Sequence, residues 1–126
     1  MAYAGVILFK SGKILLQLRD NDKKILSPGK WGIFGGGIEE NETPKEAALR
    51  EIKEELGLVL DLEKLNLIIK IDFDGEERHI FKTELLPSLS ELKLEEGSKM
   101  QLFSKEEINN LENTVQGLKE LISLLN

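Results

Sequence analysis

Apolar residues fill the start of the chain in two rhythms. AGVILFK (residues 4–10) is unbroken from Val6 to Phe9, which predicts a strand covered on both faces. SGKILLQLR follows. Ser11-Gly12 is read as a tight turn, and Ile14, Leu16 and Leu18 then alternate with Leu15, Gln17 and Arg19. That alternation predicts a second strand with one face more open. Residues 20–30 are polar with a Pro28-Gly29 turn signal, and WGIFGGG is a short apolar piece closed by three glycines.

The rhythm changes at TPKE. Thr43 is a candidate N-cap, Pro44 a first helical residue, and Glu46 the third, which completes a capping box. The helix is predicted to run through Leu56, with Gly57 just past its end. Ala48, Ile52 and Leu56 form its core stripe, and Ala47 lies among glutamates on the other side. In LNLIIKIDF the residues Leu65, Leu67, Ile69, Ile71 and Phe73 fall on one strand face. Asp74-Gly75 marks a hairpin, with RHIFKTELL returning. KMQLF is a further strand candidate, and Ser104 with Glu107 repeats the capping-box pattern. An amphipathic helix is predicted after Asn113, burying Val115, Leu118, Ile122 and Leu125, although Gly117 weakens its first turn. Residues 1–126 read as a single α/β or α+β domain without internal repeats.

Charge narrows the functional classes. The 126 residues carry a net charge of −6, which argues against a nucleic-acid polymer or an anionic membrane as partner. An anionic substrate needs a bridging cation or a local basic patch. The sequence has no cysteine, which excludes thiolate metal sites and disulfides and fits a reducing compartment. The N-terminal apolar run lacks a basic stretch before it and reads as a strand, not a signal peptide. The expected location is cytoplasmic.

One feature runs against ordinary helix design. Glu51, Glu54 and Glu55 are spaced i, i+3 and i+4, where like charges cost about 0.2–0.5 kcal/mol per pair in an isolated helix. An acidic helix face alone is ordinarily just solvated. This one has more in register: Gly36 stands six positions before Glu42, Glu42 eight before Arg50, and Gly57 and Leu58 close the run. The stretch GGIEENETPKEAALREIKEELGL resembles the signature of the Nudix hydrolases (the MutT-like family), G-x5-E-x7-R-E-U-x-E-E-x-G-U, with U a bulky aliphatic residue. All nine defining positions match over 23 residues.

The resemblance implies an α/β/α sandwich around a mixed sheet and a Mg²⁺-dependent hydrolase (Mn²⁺ serving in its place) for the pyrophosphate linkage of nucleoside diphosphates bearing a group X. Carboxylate oxygens are natural ligands for such ions. By family analogy Glu54 and Glu55 are the main metal ligands. Glu51 is a further ligand or the base that activates water. Arg50 orients a glutamate, and Glu42 pairs with Arg50 or contacts metal-bound water. The Gly35 carbonyl is a candidate ligand, as is a late-loop acid, Glu96 or its neighbour Glu95. Trp31 and His79 are substrate-binding candidates, although core burial of Trp31 and packing of His79 are the blander readings. Phe34 replaces a proline common in the family, as it can in the oxidised-purine triphosphate hydrolases. That points to a small (deoxy)nucleoside triphosphate, cleaved to monophosphate plus pyrophosphate. The alternatives are ADP-ribose or a nucleotide sugar, or a non-catalytic nucleotide-binding module. Family members often dimerise; the sequence does not report oligomeric state.

Overall fold

The computed structural model describes residues 2–19, 29–94 and 99–125. Strands β1 (Ala2–Lys10) and β2 (Lys13–Leu18) pair antiparallel at Phe9↔Ile14 and Lys10↔Lys13. Their two-residue turn at Ser11 and Gly12 has positive φ at both positions, 52° and 77°, the twist that matches right-handed strands. Next come β3 (Trp31–Gly32), β4 (Phe34–Gly37), α1 (Pro44–Leu56), β5 (Asn66–Phe73), β6 (Glu76–Glu84), β7 (Lys99–Phe103), α2 (Lys105–Asn109) and α3 (Leu118–Ile122).

The seven strands make one mixed sheet in the order β3-β2-β1-β6-β5, with β4 on β1 and β7 on β2. Among the described strands, only the β1–β6 pair is parallel. β1 and β2 stay together only beside their turn and then diverge. β4 takes the freed edge of β1, from Tyr3↔Gly37 to Val6↔Phe34, and β3 takes the end of β2. This wedge brings the glycine-rich strand to the middle of the sheet, under α1.

Two cores separate three layers. Ala4, Val6, Leu8, Leu15, Phe34 and Phe81 pack against Ala47, Ala48, Ile52 and Leu56 of α1. On the other face, Ile7, Ile14, Leu16, Ile80 and Phe103 pack against Ile108 of α2 and Leu118 and Ile122 of α3. The architecture is the α/β/α sandwich. α1 has the ends its sequence predicts: Thr43 Oγ1 accepts from Glu46 N–H at 3.1 Å, and Glu46 Oε1 accepts from Thr43 N–H at 2.9 Å. Gly57 at φ 66° closes it, donating to the Lys53 carbonyl at 2.9 Å. Ala47 is fully buried, so the apolar back of the helix is wider than its stripe. Among the described residues no helix is long and apolar enough to cross a membrane.

Three expectations are corrected. The Leu15–Gln17 face of β2 is not open, because α1 covers it and both residues are buried. In β5 a bulge between Leu67 and Ile69 pairs Leu67 with Phe81 but Ile69 with Ile80. The one-residue shift turns Leu67 to the α1 side and leaves it 54% exposed, while Ile69 joins the other core. The last helix begins later than predicted. Asn113 to Val115 run extended along β3, with Trp31 N–H donating to Asn113 O and Val115 N–H to Trp31 O, both at 2.8 Å. Gly117 at φ 88° then turns the chain into α3.

Candidate functional site

β4 and α1 approach most closely at Gly36, where an added side chain would displace Glu51. A Cβ added to Gly36 would lie 2.3 Å from both Cδ and Oε1 of Glu51. Glu55 points into the sheet. Its Oε2 accepts the Gly35 N–H at 3.2 Å, and its Oε1 accepts from Nε2 of Gln17, on β2, at 3.4 Å. Glu55 is 5% exposed, whereas the Glu54 side chain is 58% exposed.

Arg50 ties the acidic groups together. Its Nε donates to Glu42 Oε2 at 2.7 Å and Nη2 to Glu42 Oε1 at 3.0 Å, a bidentate pair. Nη2 also reaches the Gly37 carbonyl at 2.9 Å. Nη1 donates to Glu51 Oε2 at 2.9 Å and lies 3.4 Å from Glu54 Oε2. Glu42 is fixed from the loop side as well, accepting the Glu39 N–H at 2.9 Å. These bonds, that to Arg50 first, hold the Glu42 carboxyl below its ordinary range. The same Glu42 bond is the main cause pushing Arg50 above its usual value, with desolvation opposing it.

Glu42, Arg50, Glu51 and Glu54 thus meet on one side of α1 and its preceding loop, while Glu55 turns into the sheet toward Gln17 and Gly35. Among the described residues, no three carboxylate or imidazole groups converge as a ready-made cage for an ion. Glu51 and Glu54 instead turn toward the shared cation at Arg50 Nη1, so their oxygens can serve a single positive centre. A donor set made of carboxylate oxygens suits Mg²⁺ or Mn²⁺. Gly35 enters through its N–H to Glu55, and the carbonyl that Arg50 uses is that of Gly37.

The remaining candidates lie elsewhere. Trp31 is a core residue, edge-on to Phe103 at 4.8 Å between ring centroids. His79 is buried on β6 with Nε2 2.8 Å from Glu77 Oε1, and neither residue lines the cleft described below. Glu95 and Glu96 lie outside the described residues.

A cleft on the α3 side of the sheet was not foreseen from the sequence. Tyr3, Arg19, Ile71, Phe73, Arg78 and Val115 line it. Tyr3 and Arg78 are direct neighbours across β1 and β6, and Ile71 pairs with Arg78 across β5. The Arg78 guanidinium lies 4.8 Å from the Phe73 ring centroid and 5.5 Å from that of Tyr3, within cation–π range. Tyr3 connects the cleft to the acidic site: its hydroxyl would be 2.7 Å from a Cβ on Gly35. Burial, then the charge of Glu55, pushes the Tyr3 hydroxyl upward, with Arg78 and Arg19 acting in the opposite sense. These residues come from β1, the end of β2, β5, β6 and the segment before α3, far apart in the sequence. The available signal was two arginines and two aromatics in or beside strands otherwise rich in aliphatics.

Comparison with known proteins agrees with this geometry. A NUDIX domain profile matches residues 1–125. Over 84 residues the chain is 38% identical to an oxidized purine nucleoside triphosphate hydrolase of Danio rerio, covering 63% of this chain and 51% of that protein. Over 77 residues it is 38% identical to an 8-oxo-dGTP diphosphatase of Proteus vulgaris, covering 61% and 65%. The chain therefore spans about half to two thirds of these relatives' length. The crystal structure of a MutT NUDIX hydrolase from Burkholderia pseudomallei superposes with a TM-score of 0.81, covering 99% of this chain and 97% of that one. At 21% identity that likeness shows the fold alone. The fold, the complete signature and the profile together establish that the chain belongs to the NUDIX family.

Proposed function

We propose that the chain is a Mg²⁺-dependent Nudix pyrophosphohydrolase (Mn²⁺ serving as well) that converts a (deoxy)nucleoside triphosphate to monophosphate and pyrophosphate. The observation that carries the reading is the juxtaposition of two unlike surfaces. A cluster of carboxylates on α1 backs onto β4, and a cleft with Phe73, Tyr3, Arg19 and Arg78 opens on the other face of the sheet, joined to it where the Tyr3 hydroxyl meets Gly35. An aromatic and cationic cleft suits a nucleoside. The acidic cluster suits the cation-bound phosphates.

The residues divide the work. Glu51, Glu54 and Glu55 would hold the ions, with the Gly35 carbonyl and a late-loop acid as further candidates. When bound, such ions neutralise phosphate oxygens and make water a stronger nucleophile. Arg50 sets the direction of Glu51 and locks it to the Glu42 loop. Glu51 serves either as ligand or as the base that takes the proton of the attacking water. Water attacks an internal phosphorus and its oxygen stays there, the P–O bond of the anhydride bridge breaks, and monophosphate and pyrophosphate separate.

The names of the relatives support a triphosphate, and those of two of them an oxidised purine. The test is a Mg²⁺-dependent panel of canonical and oxidised (d)NTPs, ADP-ribose, nucleotide sugars and dinucleoside polyphosphates, with products identified. Fastest release of pyrophosphate from one triphosphate supports the reading. Preference for ADP-ribose or a nucleotide sugar overturns the substrate class, and nucleotide binding without turnover overturns the activity.

A further inference from the structure

A buried carboxamide stands behind the most buried glutamate of the signature. Gln17 is 4% exposed, on a strand whose neighbouring positions Ile14, Leu15 and Leu16 are core residues. Leu15 and Gln17 share the face turned to α1. An apolar side chain at position 17 would avoid the cost of burying an amide. Gln17 Nε2 donates to Glu55 Oε1 at 3.4 Å, while the Gly35 N–H takes Oε2 at 3.2 Å. Two donors from two strands thus address the two oxygens of one carboxylate and set its plane. The Gln17 backbone is itself pinned from both sides, opposite Gly32 of β3 and Met100 of β7. Gln17 lies outside the signature, nineteen positions before Gly36, and contacts no other member of the acidic cluster in the described bonds.

We propose that Gln17 is a positioning residue for Glu55, presenting that carboxylate to the divalent ion. The proposal rests on the function put forward above. Partners that orient metal-ligating carboxylates are worth about 10–100-fold in metal affinity or activity. A packing role alone would leave metal affinity untouched. Substrate contacts belong to the cleft across the sheet, so Gln17 acts on ion binding and turnover and not on nucleotide affinity.

The experiment measures Mn²⁺ binding by electron paramagnetic resonance, without nucleotide, on the wild-type chain, Glu55→Gln and Gln17→Met. Thermal unfolding of each metal-free protein is recorded alongside. Gln17→Met removes the donor at nearly constant volume. It is expected to weaken Mn²⁺ binding about tenfold and to lower kcat at saturating Mg²⁺ with little change in nucleotide KM. Gln17→Asn, whose amide is one methylene short, is expected to show the same direction and serves if the Met variant does not fold. A folded Gln17 variant that binds Mn²⁺ as the wild type does, while Glu55→Gln is weakened, overturns the positioning role alone. Mn²⁺ affinity unchanged in Glu55→Gln overturns the assignment of Glu55 as a ligand, and this inference with it.

Discussion

Gly35 and Gly36 are adjacent, yet the structure assigns them opposite sensitivities. A methyl group on Gly36 meets Glu51 Cδ and Oε1 at 2.3 Å. Those atoms end a flexible side chain, so they can retreat, and must do so by about 1 Å to reach ordinary contact. The fold is then nearly unaffected, with a stability loss below about 1 kcal/mol. The carboxylate, however, leaves the position in which Arg50 Nη1 holds it at 2.9 Å. A misplacement of about 1 Å costs on the order of 100-fold in rate, or about 2.7 kcal/mol of barrier. On Gly35 the added Cβ would lie 2.3 Å from the Ala4 carbonyl oxygen and 2.7 Å from Gly5 Cα, at φ 153°. Backbone atoms in a paired strand cannot retreat in that way. Gly35→Ala is expected to lose about 2–5 kcal/mol of stability. Urea unfolding and steady-state pyrophosphate release separate the cases. Gly36→Ala unfolds near the wild-type midpoint with kcat down about 100-fold, and Gly35→Ala unfolds early. A Gly36→Ala protein with wild-type kcat, or with stability as poor as Gly35→Ala, would contradict this division between the two glycines.

Further expectations follow from the same geometry. Arg50→Lys keeps the charge but loses the bidentate bond to Glu42 and the reach to Gly37 O; urea unfolding of the metal-free protein should show a loss of about 1–2 kcal/mol, and kcat should fall. Phe73→Ala and Arg78→Ala remove one side of the cleft and should raise the nucleotide KM about tenfold or more while changing kcat little. The carboxyls of Glu42, Glu77 and Glu107 all lie below their ordinary value of 4.5, through hydrogen bonds first of all to Arg50, His79 and the Ser104 backbone respectively. A depressed folded-state value gives stability that is present above the ordinary carboxylate range and lost as pH falls through the depressed one. The urea midpoint of the metal-free protein should therefore drop between about pH 5 and 3, and less steeply in Glu42→Gln.

Local chemistry carried most of what the sequence revealed. Thr43, Pro44, Glu46 and Gly57 mark the ends of α1 because caps are made from neighbouring residues, and fixed spacing on that helix collects Arg50, Glu51, Glu54 and Glu55. Readings that depended on distant partners were lost. Alternation along β2 could not reveal that Gln17 faces Glu55, so a polar residue suggested an open surface. Alternation along β5 failed at the bulge, since one extra residue reverses the face of Leu67 without any change in hydrophobicity. Val115 suits a helix face, but its backbone pairs with Trp31 and its side chain fills the space left by Gly32. The cleft was hidden for the same reason. Tyr3, Arg19, Phe73 and Arg78 become neighbours only when β6 lies parallel to β1 and β5 folds back on β6.

If the acidic face of α1 serves divalent-ion-dependent hydrolysis of a nucleotide anhydride, the comparison to make is turnover of a nucleoside triphosphate by the wild-type chain and Glu54→Gln across a Mg²⁺ titration, with products resolved. Glu54 is exposed and, among the described residues, makes long contacts to Arg50, so its replacement is expected to leave the fold intact. The wild type should release monophosphate and pyrophosphate in a Mg²⁺-dependent way, and the variant should lose that turnover with unchanged unfolding. Equal turnover by the two proteins would rule out this role for the acidic face.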